Sequence, residues 1–259
     1  MLVKKTINND IYNDYANGWW DKDSFLNVLE TGIQPLRSSY IQQCIQSNKT
    51  GSLRCLDIGC GGGIITENLA SFSQDVTGVD ISAASLDTAR QHAQEQGLKI
   101  NYQQAPAENL PFADDSFDLI TCCDVLEHVD DLAKSIAEIS RVLCPGGVFV
   151  YDTVNRTLMS YLSLIAVAQD IPWTRFAPKN SHVWHKFIRP QELAALLSDN
   201  HLKQQEEVGM APSVNPLMML WYIFQVKNNK IDFATFGNTI QFKRSRSKAI
   251  SYLGHCIKT

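Results

Sequence analysis

Asp124, Glu127 and His128 lie within five positions of one another, directly after the apolar run "DLITCC" (118–123). Two carboxylates and an imidazole so spaced can ligate a divalent cation, can take a proton from a reacting group, or can form the polar rim of a buried sheet. His182 and His185 in "SHVWHKF" (181–187) form a second set. Loop histidines are more often surface residues than catalysts, but here they interleave with Trp184 and Phe187, and an aromatic lid suits a planar acceptor. A third signal is "LDIGCGGG" (56–63), with Gly59, Gly61 and Gly63 in G-x-G-x-G spacing. Glycines at a strand-to-helix turn let backbone amides approach a ligand, although helix entries also use glycine for purely structural reasons. The third glycine of a dinucleotide fingerprint would fall at Ile64, which weakens a nicotinamide or flavin reading.

These residues need a scaffold, and the pattern from 53 to 152 supplies one. Short β-rich runs at 53–58, 75–80, 99–104, 118–123 and 147–152 alternate with helical patterns at 64–72, 82–97 and 132–143. Gly97 is placed as a C-cap, and Cys144-Pro145-Gly146-Gly147 as a helix stop. Alternation of this kind predicts a doubly wound α/β core with a parallel sheet and right-handed crossovers. Ligands in such folds bind outside the carboxyl ends of the strands. Asp80 ends the second run about 20 residues past the glycines, where a carboxylate can take both hydroxyls of a ribose. It could equally cap the following helix, a role that Ser82 fills as well. Asp57, inside the first strand, is costly to bury unless it holds loop amides or a cationic group of the ligand.

Beyond the core, residues 1–50 read as a helical segment containing Trp19-Trp20 and the breaker Pro35, and 51–259 as the main domain. Segments 153–188 and 211–248 would cap it, with a helix at 189–200, a sixth strand at 201–210 and a seventh at 249–258. The chain of 259 residues is 44% hydrophobic and 19% charged, ordinary globular composition with material for a sizeable core. A net charge of −4 gives no global attraction to nucleic acid, and none is expected as a partner. The local basic run "KRSRSK" (243–248) is either a solvated loop or a patch for anionic lipid headgroups. Seven scattered cysteines, an odd number, read as buried free thiols rather than a disulfide framework. With no secretory signal visible in "MLVKKTINNDIYNDY", a cytoplasmic location fits. No apolar run is long enough to span a membrane.

"LDIGCGGG", "GVD", "AENLPFADDSFDLI", "VLEHV" and "LCPGG", in this order, resemble the class I S-adenosylmethionine-dependent methyltransferases over roughly 50–152. That resemblance implies a Rossmann-like α/β sheet of seven mostly parallel strands with an antiparallel last strand. "WWD" (19–21), "PLR" (35–37), "TCCDVLEH", "NR" (155–156) and "PKNSHVWHKFIRPQEL" (178–193) look like the O-methyltransferases of ubiquinone biosynthesis, which act on catechol-type polyprenyl phenols. The resemblance implies S-adenosylmethionine contacts at Arg37, Gly59, Asp80 and Cys123, and Asp57, Gly61, Ile81, Ala107 and Glu108 complete the expected cofactor-binding set. Arg37 makes physical sense as a two-pronged clamp on the methionyl carboxylate, though a surface arginine is the plainer alternative. Pro106 stands where many relatives carry an acidic residue, and the insertion 211–248 is longer than the quinone enzymes lead one to expect.

Methyl transfer from a sulfonium needs mainly alignment of donor and acceptor. A phenol, with a pKa of ~10, must in addition lose its proton, with help from a base or a cation. The family's acidic-x-x-Glu-His arrangement is associated with a divalent cation, so Asp124, Glu127 and His128 become expected ligands for Mg²⁺ or Mn²⁺; elsewhere in the superfamily "LEHV" only orders loops. His128 first and His182 second are the expected bases, with Glu127 beside them. The stretches 158–167 and 215–224 carry apolar surface beyond the needs of the core, either buried helix or a flap that receives a prenyl tail or rests on a membrane. The expected activity is therefore O-methylation of a small hydroxylated aromatic, prenylated in the quinone reading. Two alternatives stand beside it: an O- or N-methyltransferase of specialised metabolism, and a nucleoside-binding subunit without activity.

Overall fold

The computed structural model describes residues 6–46 and 53–259. The expected boundary at 50/51 lies outside the described residues. The apolar runs form the strands β1 (Arg54–Ile58), β2 (Asp75–Asp80), β3 (Asn101–Gln104), β4 (Phe117–Cys123) and β5 (Leu143–Val154), followed by β6 (Leu202–Pro212), β7 (Phe242–Ser245) and β8 (Ser251–Lys258). They make one eight-stranded sheet in the order β3-β2-β1-β4-β5-β8-β6-β7. Pairings among β1 to β5 are parallel, while β8 runs antiparallel to both β5 and β6. The seven expected strands are present. The unexpected eighth, β7, pairs antiparallel on the outer edge of β6.

The helix 132–142 stops directly before Cys144-Pro145-Gly146-Gly147, as expected, but β5 already begins at Leu143, and the four residues form an irregularity between the pairs Phe117/Leu143 and Leu119/Val148. One correction concerns local chemistry. The basic run is an edge strand and its turn, not a free loop. Arg244 pairs with Glu206 and lies over the Tyr40 ring, and Lys248 pairs with Glu207, so carboxylates of β6 compensate two of its charges. Gly97 does follow the helix end with φ of 69°, as expected for a C-cap glycine.

Helices cover both faces, as alternating burial along the strands requires. Leu56, Ile58, Ile120 and Phe149 face α5 (Leu132–Val142) and α7 (Pro190–Asp199). Cys55, Leu119, Val148 and Val150 face α2 (Gln34–Gln46) and α3 (Ile64–Ala70). α4 (Ala83–Glu95) packs near β2 and β3 and is capped by Ser82, whose hydroxyl accepts from the Ser85 N–H. Asp80 is thereby not the cap. Upstream, α1 (Ile11–Asp14) and a π-helical turn (Leu29–Ile33) lead into α2, where Pro35 sits in the first turn and needs no donor.

The capping segments carry structure of their own. α6 (Leu158–Ser160) continues as a π-helix to Asp170, and α8 (Pro216–Lys227) and α9 (Phe233–Ile240) pack through Ile223, Val226 and Phe236 against Val167 and Phe176. Their outer face leaves Leu158, Met159, Leu217, Trp221 and Phe224 exposed. No helix among the described residues is long and apolar enough to cross a membrane.

The N-terminal segment is fastened across the glycine loop. Trp19 Nε1–H donates to Ser85 Oγ at 3.0 Å, and Trp20 Nε1–H to the Gly62 carbonyl at 2.9 Å. Trp20 stacks on His92 with ring centroids 3.7 Å apart. A Cβ on Gly61 or Gly62 would overlap the Trp19 ring, so these glycines are required by packing as much as by the turn. Gly62→Ala should therefore cost about 1–3 kcal/mol in urea unfolding, the usual range for overpacking. The same substitution in a Trp19→Ala background should cost much less, and equal costs in both backgrounds would remove the packing explanation.

Candidate active site

A cleft opens at the carboxyl ends of β1, β2 and β4, the point where strand order reverses. Gly59, Asp80, Ile81, Ala107, Glu108, Cys123, Asp124 and His128 line it from the sheet, and Asn9, Tyr12, Trp19 and Arg37 from the N-terminal segment. Asp80 Oδ2 accepts from the Gly61 N–H at 2.9 Å and Oδ1 from the Ser82 N–H at 2.8 Å. Each oxygen keeps acceptor capacity toward the cleft. Burial raises its pKa, and the Ser82 and Gly61 N–H groups oppose that rise. The Gly59 N–H is bound to the Val79 carbonyl at 2.7 Å. The two expected loop amides are thus spent on the end of β2.

Three other expected cofactor residues are engaged in holding the scaffold. Asp57 binds neither loop amides nor a cation: Thr66 Oγ1 donates to it at 2.6 Å and Thr121 Oγ1 at 2.7 Å, tying β1 to α3 and β4. Burial raises its pKa to about 6 against those two hydroxyls. Glu108 Oε1 accepts from the Asp130 and Asp131 N–H groups and orders the entry to α5. Cys123 is buried, and burial pushes its thiol up, so it stays neutral.

Arg37 is no surface residue, being 3% exposed. Its Nε–H and Nη2–H donate to the two oxygens of Asp152 at 2.7 and 2.8 Å, and Nη2 also binds Asp124. The two-pronged edge expected to clamp a ligand carboxylate is occupied by Asp152. Burial works against the charge on Arg37, but Asp124 and Asp152 outweigh it and hold the guanidinium firmly protonated. Burial likewise acts to raise Asp124, and Arg37 overcomes it, so that carboxylate is held low. Asp124 takes φ of 54°, a left-handed conformation that turns its side chain toward Arg37.

The expected metal trio of Asp124, Glu127 and His128 is therefore separated. A cation at Asp124 would face the guanidinium of Arg37, so Asp124 does not fit a ligand set. Among the described residues, the metal-capable side chains that do meet are Glu127, His128 and His182, with one donor atom from each all within 4.8 Å of one another. Glu127 is fully buried, and its Oε2 accepts from Thr153 Oγ1 at 2.7 Å. Burial, reinforced by Asp124, lifts its carboxyl well above the ordinary range. Asn9 Nδ2–H donates to the His128 carbonyl, which turns Asn9 Oδ1 toward the His128 ring at 3.2 Å. Nδ1 must then carry the proton, leaving Nε2 bare. Burial and the neighbouring His182 hold His128 down to about 3, a poor match for a free-standing base at neutral pH.

His182 comes to this cluster on a tether. The Gln169 carboxamide of the π-helix accepts from the His182 N–H at 3.0 Å and donates to its carbonyl at 3.4 Å, and the His182 and His128 rings are 5.1 Å apart. His185 is not part of it. Asn9, Tyr12 and Asp152 were not anticipated. Asp152 could have been, because it ends the apolar run 147–152 as Asp80 ends 75–80, whereas nothing in the local pattern marks Asn9 or Tyr12.

Asp57 yields a prediction with a definite sign. Its folded pKa lies above its unfolded value, so the folded state binds more protons between the two, and stability is lost as pH rises through about 6. The effect amounts to roughly 3 kcal/mol when complete. Urea unfolding at about pH 4 and about pH 7 should show this loss in the wild type and a smaller one in Asp57→Asn. Equal losses in both proteins would remove Asp57 as the source.

Comparison with known proteins agrees with the geometry. A family model described as a methyltransferase domain matches residues 56–151. The ubiquinone biosynthesis O-methyltransferase of Hahella chejuensis is 39% identical over 80% of this chain and 84% of its own length. Its counterpart in Pasteurella multocida is 38% identical over 80% and 87%. Among solved structures, the YcgJ protein of Bacillus subtilis superposes with a TM-score of 0.60 at 24% identity, covering 86% of this chain and 98% of that one. A SAM-dependent methyltransferase from Aquifex aeolicus gives 0.59 at 12% identity over 94% and 98%, a likeness of fold. The chain belongs to the ubiquinone biosynthesis O-methyltransferase family and is an S-adenosylmethionine-dependent methyltransferase.

Proposed function

We propose that this enzyme O-methylates a catechol-type phenol carrying a polyprenyl tail, a reading that its motifs suggest and that is consistent with relatives named ubiquinone biosynthesis O-methyltransferase. The observation that carries this reading is the meeting of two unlike regions: the nucleoside-type cleft with Asp80, and the Glu127, His128 and His182 cluster at its rim. When bound, S-adenosylmethionine supplies an activated methyl group. Asp80 then accepts from the ribose hydroxyls, Ile81 and Ala107 flank the adenine, and Arg37 offers its remaining Nη1 edge to the methionyl carboxylate.

On the acceptor side the cluster faces the phenolic hydroxyl through His128, and the neighbouring His182 loop closes over the ring. The buried positions of Glu127 and His128 exclude water from the reacting oxygen. The apolar outer face of α6, the π-helix and α8 is the surface assigned to the prenyl tail; peripheral contact with a bilayer would use the same face. Gln169 links that surface directly to His182.

Two measurements test this. Asp80→Ala should weaken S-adenosylmethionine binding in calorimetry by at least about tenfold, the worth of one charge-assisted hydrogen bond, and unchanged affinity would end the ribose assignment. With polyprenyl catechols as acceptors, His128→Ala should lower kcat by about 10²-fold while donor affinity is kept, the cost of losing a side chain that positions the acceptor oxygen. Absence of labelled-methyl transfer from the wild type to any catechol would reject the acceptor class.

A further inference from the structure

We propose that the ring of Tyr12 receives the sulfonium charge of S-adenosylmethionine and so sets the preference of the cleft for the charged donor over the neutral thioether product. Tyr12 belongs to α1 and lines the donor cleft. Two moorings fix its place. Ser85 Oγ–H donates to the Tyr12 carbonyl at 2.9 Å, and Ser82 Oγ–H donates to Asn13 Oδ1 at 2.8 Å. α1 is thereby tied to the entry of α4, directly past Asp80. On its other side the Tyr12 ring meets the His128 ring edge-on, with centroids 5.7 Å apart at 74°. It also lies nearly parallel to Trp19, at 6.0 Å and 15°. The ring thus stands between the Asp80 end of the cleft and the rim at His128.

The covalent order of the donor decides what the ring meets. In S-adenosylmethionine the sulfonium joins the ribose to the methionyl chain. With the ribose at Asp80, the carboxylate at Arg37 and the methyl group directed to His128, the sulfur falls on the span that Tyr12 covers. A sulfonium carries a full charge but has no N–H or O–H to donate. In a cleft shielded from water it is met by an anion or by the negative face of an aromatic ring. The neighbouring carboxylates have other duties: Asp80 accepts from the Gly61 and Ser82 N–H groups and takes the ribose, and Asp124 is paired with Arg37. Tyr12 supplies the aromatic face, and Trp19 alongside it fixes the tilt of the ring.

The contact distinguishes the two ends of the reaction. On transfer the bond from sulfur to the methyl carbon breaks with its electron pair left on sulfur, while the acceptor oxygen gains the methyl group and gives up its proton. The charge that the ring attracts is then gone, and the thioether is held less tightly than the donor was. Because the attraction acts on the ground state, it serves donor affinity and product release rather than the height of the barrier. The inference rests on the donor placement given under the proposed function, and does not depend on the identity of the methyl acceptor.

Full-length protein is titrated in calorimetry with S-adenosylmethionine and with S-adenosylhomocysteine, and the ratio of the two affinities is the readout. A purely structural role for Tyr12 would weaken both ligands alike and leave the ratio unmoved. Tyr12→Leu should lower the ratio by about 5- to 30-fold, the worth of one desolvated cation–π contact. Tyr12→Phe keeps the ring and should hold the ratio within about twofold. Phenylalanines carrying successively more ring fluorines at position 12 keep the shape while draining the π face, so they should lower the ratio stepwise and decide the matter even if the leucine variant folds poorly. Asp80→Ala, which touches a part common to both ligands, should weaken the two equally; unchanged affinity for both overturns the donor placement and the inference with it. With that placement upheld, a flat ratio across the fluorinated series, or a loss in Tyr12→Phe as large as in Tyr12→Leu, overturns the role of the ring alone.

Discussion

The cleft depends on one buried charge cluster, Arg37 with Asp152 and Asp124. A guanidinium cannot be buried alone, and neither can a carboxylate at the end of a central strand. Each makes the other tolerable, and removing one partner strands the rest. The consequence is geometric as well as energetic. Arg37 draws α2 onto the ends of β4 and β5, closes one wall of the donor cleft, and turns Asp124 away from Glu127 and His128.

From that constraint follows the division of labour at the rim. Asp124, Glu127 and His128 are neighbours in sequence, yet only the last two share an environment. Asp124 belongs to the charged wall of the cleft, and the place beside Glu127 and His128 is taken by His182, brought in by the tether to the π-helix. A sequence motif that looks like one ligand set is, in space, a boundary between two sites.

Much of this fold could be read directly from the chain. The strand-helix alternation of 53–152, the caps at Ser82 and Gly97, and the position of Asp80 follow from periodicity and turn chemistry, which act over a few residues. What could not be read is whatever depends on distant partners. Arg37 could be matched to a motif, but not to Asp152, 115 positions away. The run 243–248 has the charge of a loop, yet its first residues pair with Gly209, Met210 and Ala211 of β6 as an edge strand, and Glu206 and Glu207 of β6 take the charges of Arg244 and Lys248. The π-helical stretch of 161–170 has no hydrophobic period that separates it from an ordinary apolar helix. Asn9 carries no local signal at all, although it sets the proton on His128.

That last contact bears on how such enzymes diversify. The strands and the glycine loop are common property of the fold, but Asn9, Arg37 and His182 all lie outside the stretch 56–151 that the general methyltransferase pattern covers. The side chains that frame the rim of the cleft are thus supplied by segments before and after the stretch that the general pattern matches. Exchange of the N-terminal arm alone, with no strand altered, would hand His128 a different tautomer and give an old scaffold a new trade.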